Sequence, residues 1–334
     1  MFEPEADAAN GVRRLVLVHG REQARQMVEQ HQRVLVDIAS EVLGDESGRI
    51  GYSYSNLCMT SLPHRRLQDD EVWERTVGNV TLLIEPGRAK FGDGPARPLG
   101  VPYGARARLI LIYLQTQAII SDSREISLGG SMREWMGRLK LTVGGETAAG
   151  LREQARRIAT CSMRFTWQAS VPRPAAMLRN ERIIKSGLFF QDAGATKQDK
   201  QGRLFEDRVL LDADFYDQLR EHTVPLQDAA IRQLANSSAS LDLYMWLAFR
   251  LHHLTAPQTL SWRALHQQFG AGYRTIKGWK RRFLASLAEA VAAYPEANVE
   301  LGERFITLHP SDPPVRRKLR LLGDKTPRHG AWDG

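Results

Sequence analysis

The stretch SWRALHQQFGAGYRTIKGWKRRFLASLAEAVAAYPEANVEL, residues 261–301, decides how the rest of the chain is read. SWRALHQQF (261–269) has the length and composition of a short helix, GAG (270–272) is a turn, and Tyr273 to Tyr294 reads as a long helix. In that long helix Ile276, Trp279, Phe283, Leu287 and Val291 recur at three- and four-residue steps, which makes one apolar stripe for a core. Roughly opposite lie Arg274, Lys277 and Arg281, with Gly278 among them and Arg282 on a flank. Lys280 falls at the edge of the stripe and has to snorkel outward. These five cations stand without one acidic residue between 271 and 288. Arginine bonds guanine bidentately and lysine neutralises phosphate, so the N-terminal half of the helix suits the major groove of double-stranded DNA. Gly278 costs about 1 kcal/mol of helix stability relative to Ala, and close approach to another backbone is one reason to accept that cost. A charge run alone is more often a solvated face. Here the charges sit on one face, behind a helix-turn pattern, in a basic chain.

Working outward, SLDLYMWLAFRLHHL (240–254) reads as a preceding helix and ANVELGERFITLH (297–309) as a hairpin. Helix, strand, helix, turn, helix and β-hairpin in that order is the winged variant of helix-turn-helix, and these elements fit it. The same order occurs upstream. ARARLILIYLQTQAII (105–120) is a helix, REISL (124–128) a strand, SMREWMGRL (131–139) a helix and TAAGLREQARRIAT (147–160) a third helix. Strands follow near 162–169, 181–190 and 203–212. The expected class is α+β, with tandem winged-helix domains, an N-terminal helix and short strands. Residues 1–50 hold a loose terminus (1–12) and an amphipathic helix (21–43). Residues 51–224 form the first winged-helix domain with a β-rich extension, 225–309 the second, and 310–334 a basic, disordered tail.

In the first module Ala148, Leu151, Ala155 and Ile158 make the buried stripe of the third helix, and Arg152 and Arg156 share the opposite face with Ala149. Glu146 and Glu153 dilute its charge, so this helix suits a DNA contact or a protein contact equally. Arg164, Arg173, Arg179 and Arg182 are candidate backbone contacts on the following strands.

Composition sets the class of partner. Lys and Arg number 46 against 38 Asp and Glu, a net charge of +8, and the pI is about 9.6, which points to a polyanion. A membrane surface is disfavoured because LILIYL (109–114) runs directly into Gln115, Thr116 and Gln117, too short a span for a bilayer. The acidic start MFEPEADAAN is neither a secretory signal nor a transit peptide, so a cytoplasmic address is expected. Cys58 and Cys161 lack His or Cys partners at ligand spacing and read as small core residues. No cofactor or metal and no catalytic group is expected. GDGPARPLG (92–100) lacks the Lys of a P-loop, and His252 and His253 are neighbours on a helix, where side chains diverge. Asp212 and Asp214 have a metal-compatible spacing but stand where a strand yields to a helix, so capping is the better reading.

Four segments resemble the plasmid-encoded RepA replication initiators of proteobacteria: MTSLPHRR (59–66), GVPYGARARLILIYLQTQAI (100–119), LGGSMREWMGRL with VGGETAAGLREQARRIATCSMRFTW (128–167), and the 261–301 stretch itself. The resemblance implies an origin-binding protein of tandem winged helices, similar in plan to initiators that bind repeated origin sites. Such proteins help open the duplex and recruit the host initiator and replicative helicase. It would put the reading of double-stranded DNA on the helix of Arg274, Lys277 and Arg281, and dimerisation and backbone contact on the first module. Two rivals stand beside it. One is a winged-helix transcriptional regulator, an autorepressor for instance, and the other a metal-dependent primase or nickase using Asp212 and Asp214.

Overall fold

The computed structural model describes residues 5–90, 94–168, 176–181, 183–187 and 207–315. Helices and short antiparallel strands are mixed along the chain. The downstream unit runs from helix Ser238–Arg250 through strand Gln258–Ser261, helix Trp262–Phe269 and helix Ile276–Ala292 to strands Val299–Leu301 and Phe305–Leu308. Its three strands form one antiparallel sheet with 305–308 in the middle. The upstream unit runs from helix Gly104–Ser121 through strand Glu125–Gly129, helix Met132–Arg138 and helix Gly145–Thr160 to strands Ile184–Gly187 and Asp207–Leu211. There too the last strand lies between the other two. The repetition therefore extends from element order to sheet order.

One strand departs from the expected plan. Ser162–Gln168 does not join the upstream three-stranded sheet; it lies between Val80–Glu85 and Ala176–Glu181, with Trp73–Val77 at the far edge. The cause is a match of apolar faces. Phe165 is opposite Leu82 and Met163 opposite Ile84, and all four are buried. The residues expected as a single run of strands after the third helix are thus shared between two sheets.

The helix Gly104–Ser121 is the centre of the fold. Every residue from Ala107 to Gln115 is buried, so its sequence shows no polar face. The two polar members of that run are satisfied. Gln115 accepts from the Tyr54 amide at 2.6 Å and donates to the Leu111 carbonyl at 2.8 Å. Arg108 meets Asp242 of the 238–250 helix through two hydrogen bonds of 2.6 and 2.7 Å, joining the first helices of the two units. A second join is the antiparallel pairing of Ile50–Tyr54 with Thr223–Gln227.

The N-terminal region differs from expectation. Helix begins at Glu5, kinks at Gly20 and ends at Met27, and a separate helix spans Arg33–Leu43. Ala9 and Val12 are buried, which is why the terminus is not loose. Met27 and Val34, both within the 21–43 stretch expected as one amphipathic helix, are 55% and 47% exposed because the break between the helices turns them outward. The 5–27 helix packs on 33–43 and on 276–292, where Arg13 donates to the carbonyls of Tyr294 at 2.8 Å and Ala297 at 3.3 Å. Of the basic tail, residues 316–334 lie outside the described residues.

Candidate nucleic-acid interface

The turn after helix 262–269 is made by Gly272 at φ +80°, a left-handed conformation that favours glycine, and by a Tyr273 amide bonded to the Gly270 carbonyl at 3.0 Å. Thr275 then caps the long helix, its hydroxyl accepting from the Gly278 amide at 3.2 Å. The helix therefore starts at Ile276, three residues later than its pattern suggests, and Arg274 stands in the turn ahead of it. Trp279, Phe283, Leu287 and Val291 are buried as expected, but Ile276 is 38% exposed, because the first helical turn overhangs the core.

That overhanging turn carries the charge. Arg274, Lys277, Gly278, Arg281 and Arg282 are all exposed. Arg274, Lys277 and Arg281 have no carboxylate partner among the described residues. They surround a helix N-terminus, where free amides and the helix dipole also favour an anion. Gly278 is open to the same side. A Cβ there would meet only the Thr275 hydroxyl, at 3.2 Å, so no protein backbone accounts for the glycine.

Lys280 takes a different course from its neighbours. Its ammonium sits 3.8 Å from the Trp262 ring centroid and donates to the Glu303 carbonyl at 3.5 Å. Burial pushes its pKa down, against the pull of Glu303. The Trp262 indole donates to that same carbonyl at 2.8 Å. Lys280 and Trp262 together thus tie the 302–304 turn of the hairpin to the long helix. At that turn Arg304 and Phe305 are exposed, and Arg263 is exposed on the 262–269 helix. Sequence reasoning passed over Arg263 and Arg304. Their signal was position: one lies two residues past the Ser261 cap, the other at the tip of GER in the expected hairpin. Arg282, on the flank, reaches the Tyr273 hydroxyl at 3.5 Å.

Arg152 and Arg156 lie elsewhere, on the Gly145–Thr160 helix of the upstream unit. Ala148, Leu151, Ala155 and Ile158 are buried as read from the sequence, and the two arginines, half-buried, line a cleft of about 360 Å³ with Arg66 and Arg97. Arg157, unremarked in the sequence, is buried and ion-paired with Glu153 at 2.9 Å and Asp69 at 3.1 Å. Among the other upstream candidates, Arg164 is ion-paired with Glu85 across the strands, which leaves it no free charge for a backbone contact. Arg173, Arg182 and the side chain of Arg179 lie outside the described residues.

The remaining polar candidates have structural roles. The Asp212 carboxylate caps the Ala213–Glu221 helix by accepting from the Asp214 amide at 3.0 Å. His252 and His253 sit in a 3-10 turn with their ring centroids 3.8 Å apart, so the divergence expected of helix neighbours does not hold there. Each Nδ1 nevertheless faces the carbonyl four residues back, at 2.8 and 2.6 Å. Burial pushes both cysteine thiols up to about 12, which fits small core residues. No helix among the described residues is long and apolar enough to cross a membrane.

Among solved structures the chain is similar to a crystal structure of domains 2 and 3 of RctB, with 9% identity and a TM-score of 0.50 over 77% of this chain and 97% of that one. A second crystal structure of RctB domains 2-3 gives 10% identity and a TM-score of 0.47, over 76% of this chain and 94% of that one. At such identity the likeness concerns the fold alone. No curated protein matches the chain. Residues 101–264, which take in the central helix, the Arg152 helix and the start of the downstream unit, match the family model of the plasmid encoded RepA protein, which is consistent with a RepA-type replication initiator.

Proposed function

We propose that this protein initiates plasmid replication by binding specific double-stranded repeats at the plasmid origin through two winged-helix domains, 51–224 and 225–309. The observation that carries the proposal is the exposed, uncompensated cationic turn Arg274–Arg281 at the start of the 276–292 helix. Such a surface has no carboxylate partner among the described residues, and its charge and shape suit the major groove. The helix enters the groove with Arg274, Lys277 and Arg281 toward base edges and phosphates, and Gly278 admits close approach. The 302–304 hairpin turn, fixed by Trp262 and Lys280, brings Arg304 to the adjacent backbone. In the upstream unit Arg152 and Arg156 add phosphate contacts.

Counterion release supplies affinity, and part of the specific binding energy goes into bending or opening adjacent A+T-rich DNA. The RepA-type match supports initiation as the outcome, with the host initiator and replicative helicase as later partners and a homodimer as an assembly state. The chemistry proposed is binding alone, without a catalytic residue. A transcriptional regulator would use the same surface. A plasmid carrying only this gene and its upstream DNA separates the two. It should replicate in a suitable host and fail when Arg274, Lys277 and Arg281 are all replaced by Ala. A plasmid that never replicates, while the protein still represses its own promoter, would favour the regulator.

A further inference from the structure

The segment 61–67 has no regular secondary structure, yet it is held at several points. The guanidinium of Arg108, 2% exposed, donates to the carbonyls of Leu62 at 2.7 Å and Pro63 at 3.2 Å while it pairs with Asp242. The Trp73 indole donates to the Ser61 carbonyl at 2.7 Å, and the His64 Nδ1 lies 3.0 Å from the Ser238 hydroxyl. Such a buried, charge-assisted clamp fixes a turn without a strand or helix to do so. The next two residues, Arg65 and Arg66, are exposed. This is the LPHRR part of a motif whose role the functional reading above leaves unassigned.

Clefts open on both sides of the turn. One, of about 500 Å³, lies between it and the downstream unit and is lined by Arg65, Arg66, Tyr273 and Arg282, with the N-terminus of the 238–250 helix at Ser237 and Ser238. The other, of about 360 Å³, is the cleft of Arg152 and Arg156, and Arg66 lines that one too. A row of arginines therefore runs from Arg282, on the flank of the 276–292 helix, through Arg65 and Arg66 to Arg152 and Arg156. The acids along it, Asp69 and Glu153, are held in ion pairs with Arg66 and Arg157. Arg65 has no carboxylate partner among the described residues.

We propose that this row follows a DNA backbone, with Arg65 contacting a phosphate of the strand that borders the groove read by the 276–292 helix, so that one duplex is held against both units. The inference rests on the duplex-binding reading above. It gives the 61–67 segment a purpose: a clamp that keeps the Arg65 phosphate contact in register with the helix that reads the groove.

The test is fluorescence anisotropy of the full chain on a labelled origin duplex and on an unrelated duplex, over a range of salt concentrations. Loss of one phosphate contact in Arg65→Ala should lower the slope of log K against log salt by about 1 and weaken binding about 3- to 10-fold near physiological salt. Because phosphates carry no sequence information, both duplexes should lose alike. Arg65→Lys should keep the wild-type slope, and Arg65→Glu should bind more weakly than Arg65→Ala. Unchanged slope and affinity in both Arg65→Ala and Arg65→Glu would overturn the proposal, as would a loss confined to the origin duplex. Wild-type protein that bound no origin duplex would instead defeat the underlying reading, and this one with it.

Discussion

Replacing Asp242 by Ala removes the carboxylate that receives two hydrogen bonds from Arg108, at 2.6 and 2.7 Å, and leaves the guanidinium where only 2% of that side chain meets solvent. Breaking a buried pair from one side costs about 3–5 kcal/mol, since the remaining charge stays desolvated. Arg108 keeps its carbonyl acceptors on Leu62, Pro63 and Gly104, which puts the expected loss toward the lower end of that range. Urea unfolding followed by tryptophan fluorescence at neutral pH measures it, with the carboxamide variant Asp242→Asn expected between wild type and Asp242→Ala. The double replacement Arg108→Met with Asp242→Leu should recover part of the loss, because no charge is left buried. A loss below about 1 kcal/mol in Asp242→Ala would show that the guanidinium finds solvent, and the clamp on residues 62–64 would have to be abandoned.

Three further outcomes follow from named contacts. Burial, with Arg108 beside it, pushes the His64 imidazole down to about 4 from its ordinary 6.5, so the unfolded chain takes up this proton first. The contribution to stability is whole above pH 6.5 and is lost as pH falls toward 4, by about 3 kcal/mol. His64→Gln should be less sensitive than wild type over that window in urea titrations, and identical pH profiles would contradict it. Trp262→Phe keeps a ring under Lys280 but removes the N–H that holds the Glu303 carbonyl, and should cost about 1–3 kcal/mol by thermal or urea unfolding. No loss at all would mean that the hairpin turn is held by other contacts. Gly278→Ala meets only the Thr275 hydroxyl, so stability should change by less than about 1 kcal/mol in either direction while duplex affinity falls. Equal affinity would remove the close approach of DNA as the reason for this glycine.

The downstream unit was legible because its signals are local. A short helix, a Gly-rich turn and a one-sided cationic helix can each be read within a few residues, and the structure repeats them with a shift of three residues at the start of the long helix, where Thr275 caps. Ile276 misled because an apolar residue at the first helical turn has no turn before it to cover it. The upstream strands were harder. Their partners are set by long-range apolar matches such as Phe165 with Leu82, which alternation within one strand cannot reveal. The clamp of Arg108 on residues 62–64 was invisible for the same reason: an arginine inside LILIYL-rich sequence gives no hint of a partner 134 residues away. The row of arginines depends on that clamp, so charge counting could point to a polyanion but not to the path it would take.

The most direct test of the central claim is an electrophoretic mobility shift of the full chain on its own origin DNA, in near-physiological salt, against an unrelated duplex of equal length. Sequence-specific reading by the 276–292 helix should give tighter binding to the origin by about a thousandfold or more. Replacing Arg274, Lys277 and Arg281 together by Ala should bring the origin down to the level of the unrelated duplex, with the melting temperature unchanged. Undiminished origin binding by that triple variant would contradict that reading, as would a wild-type protein that treats the two duplexes alike.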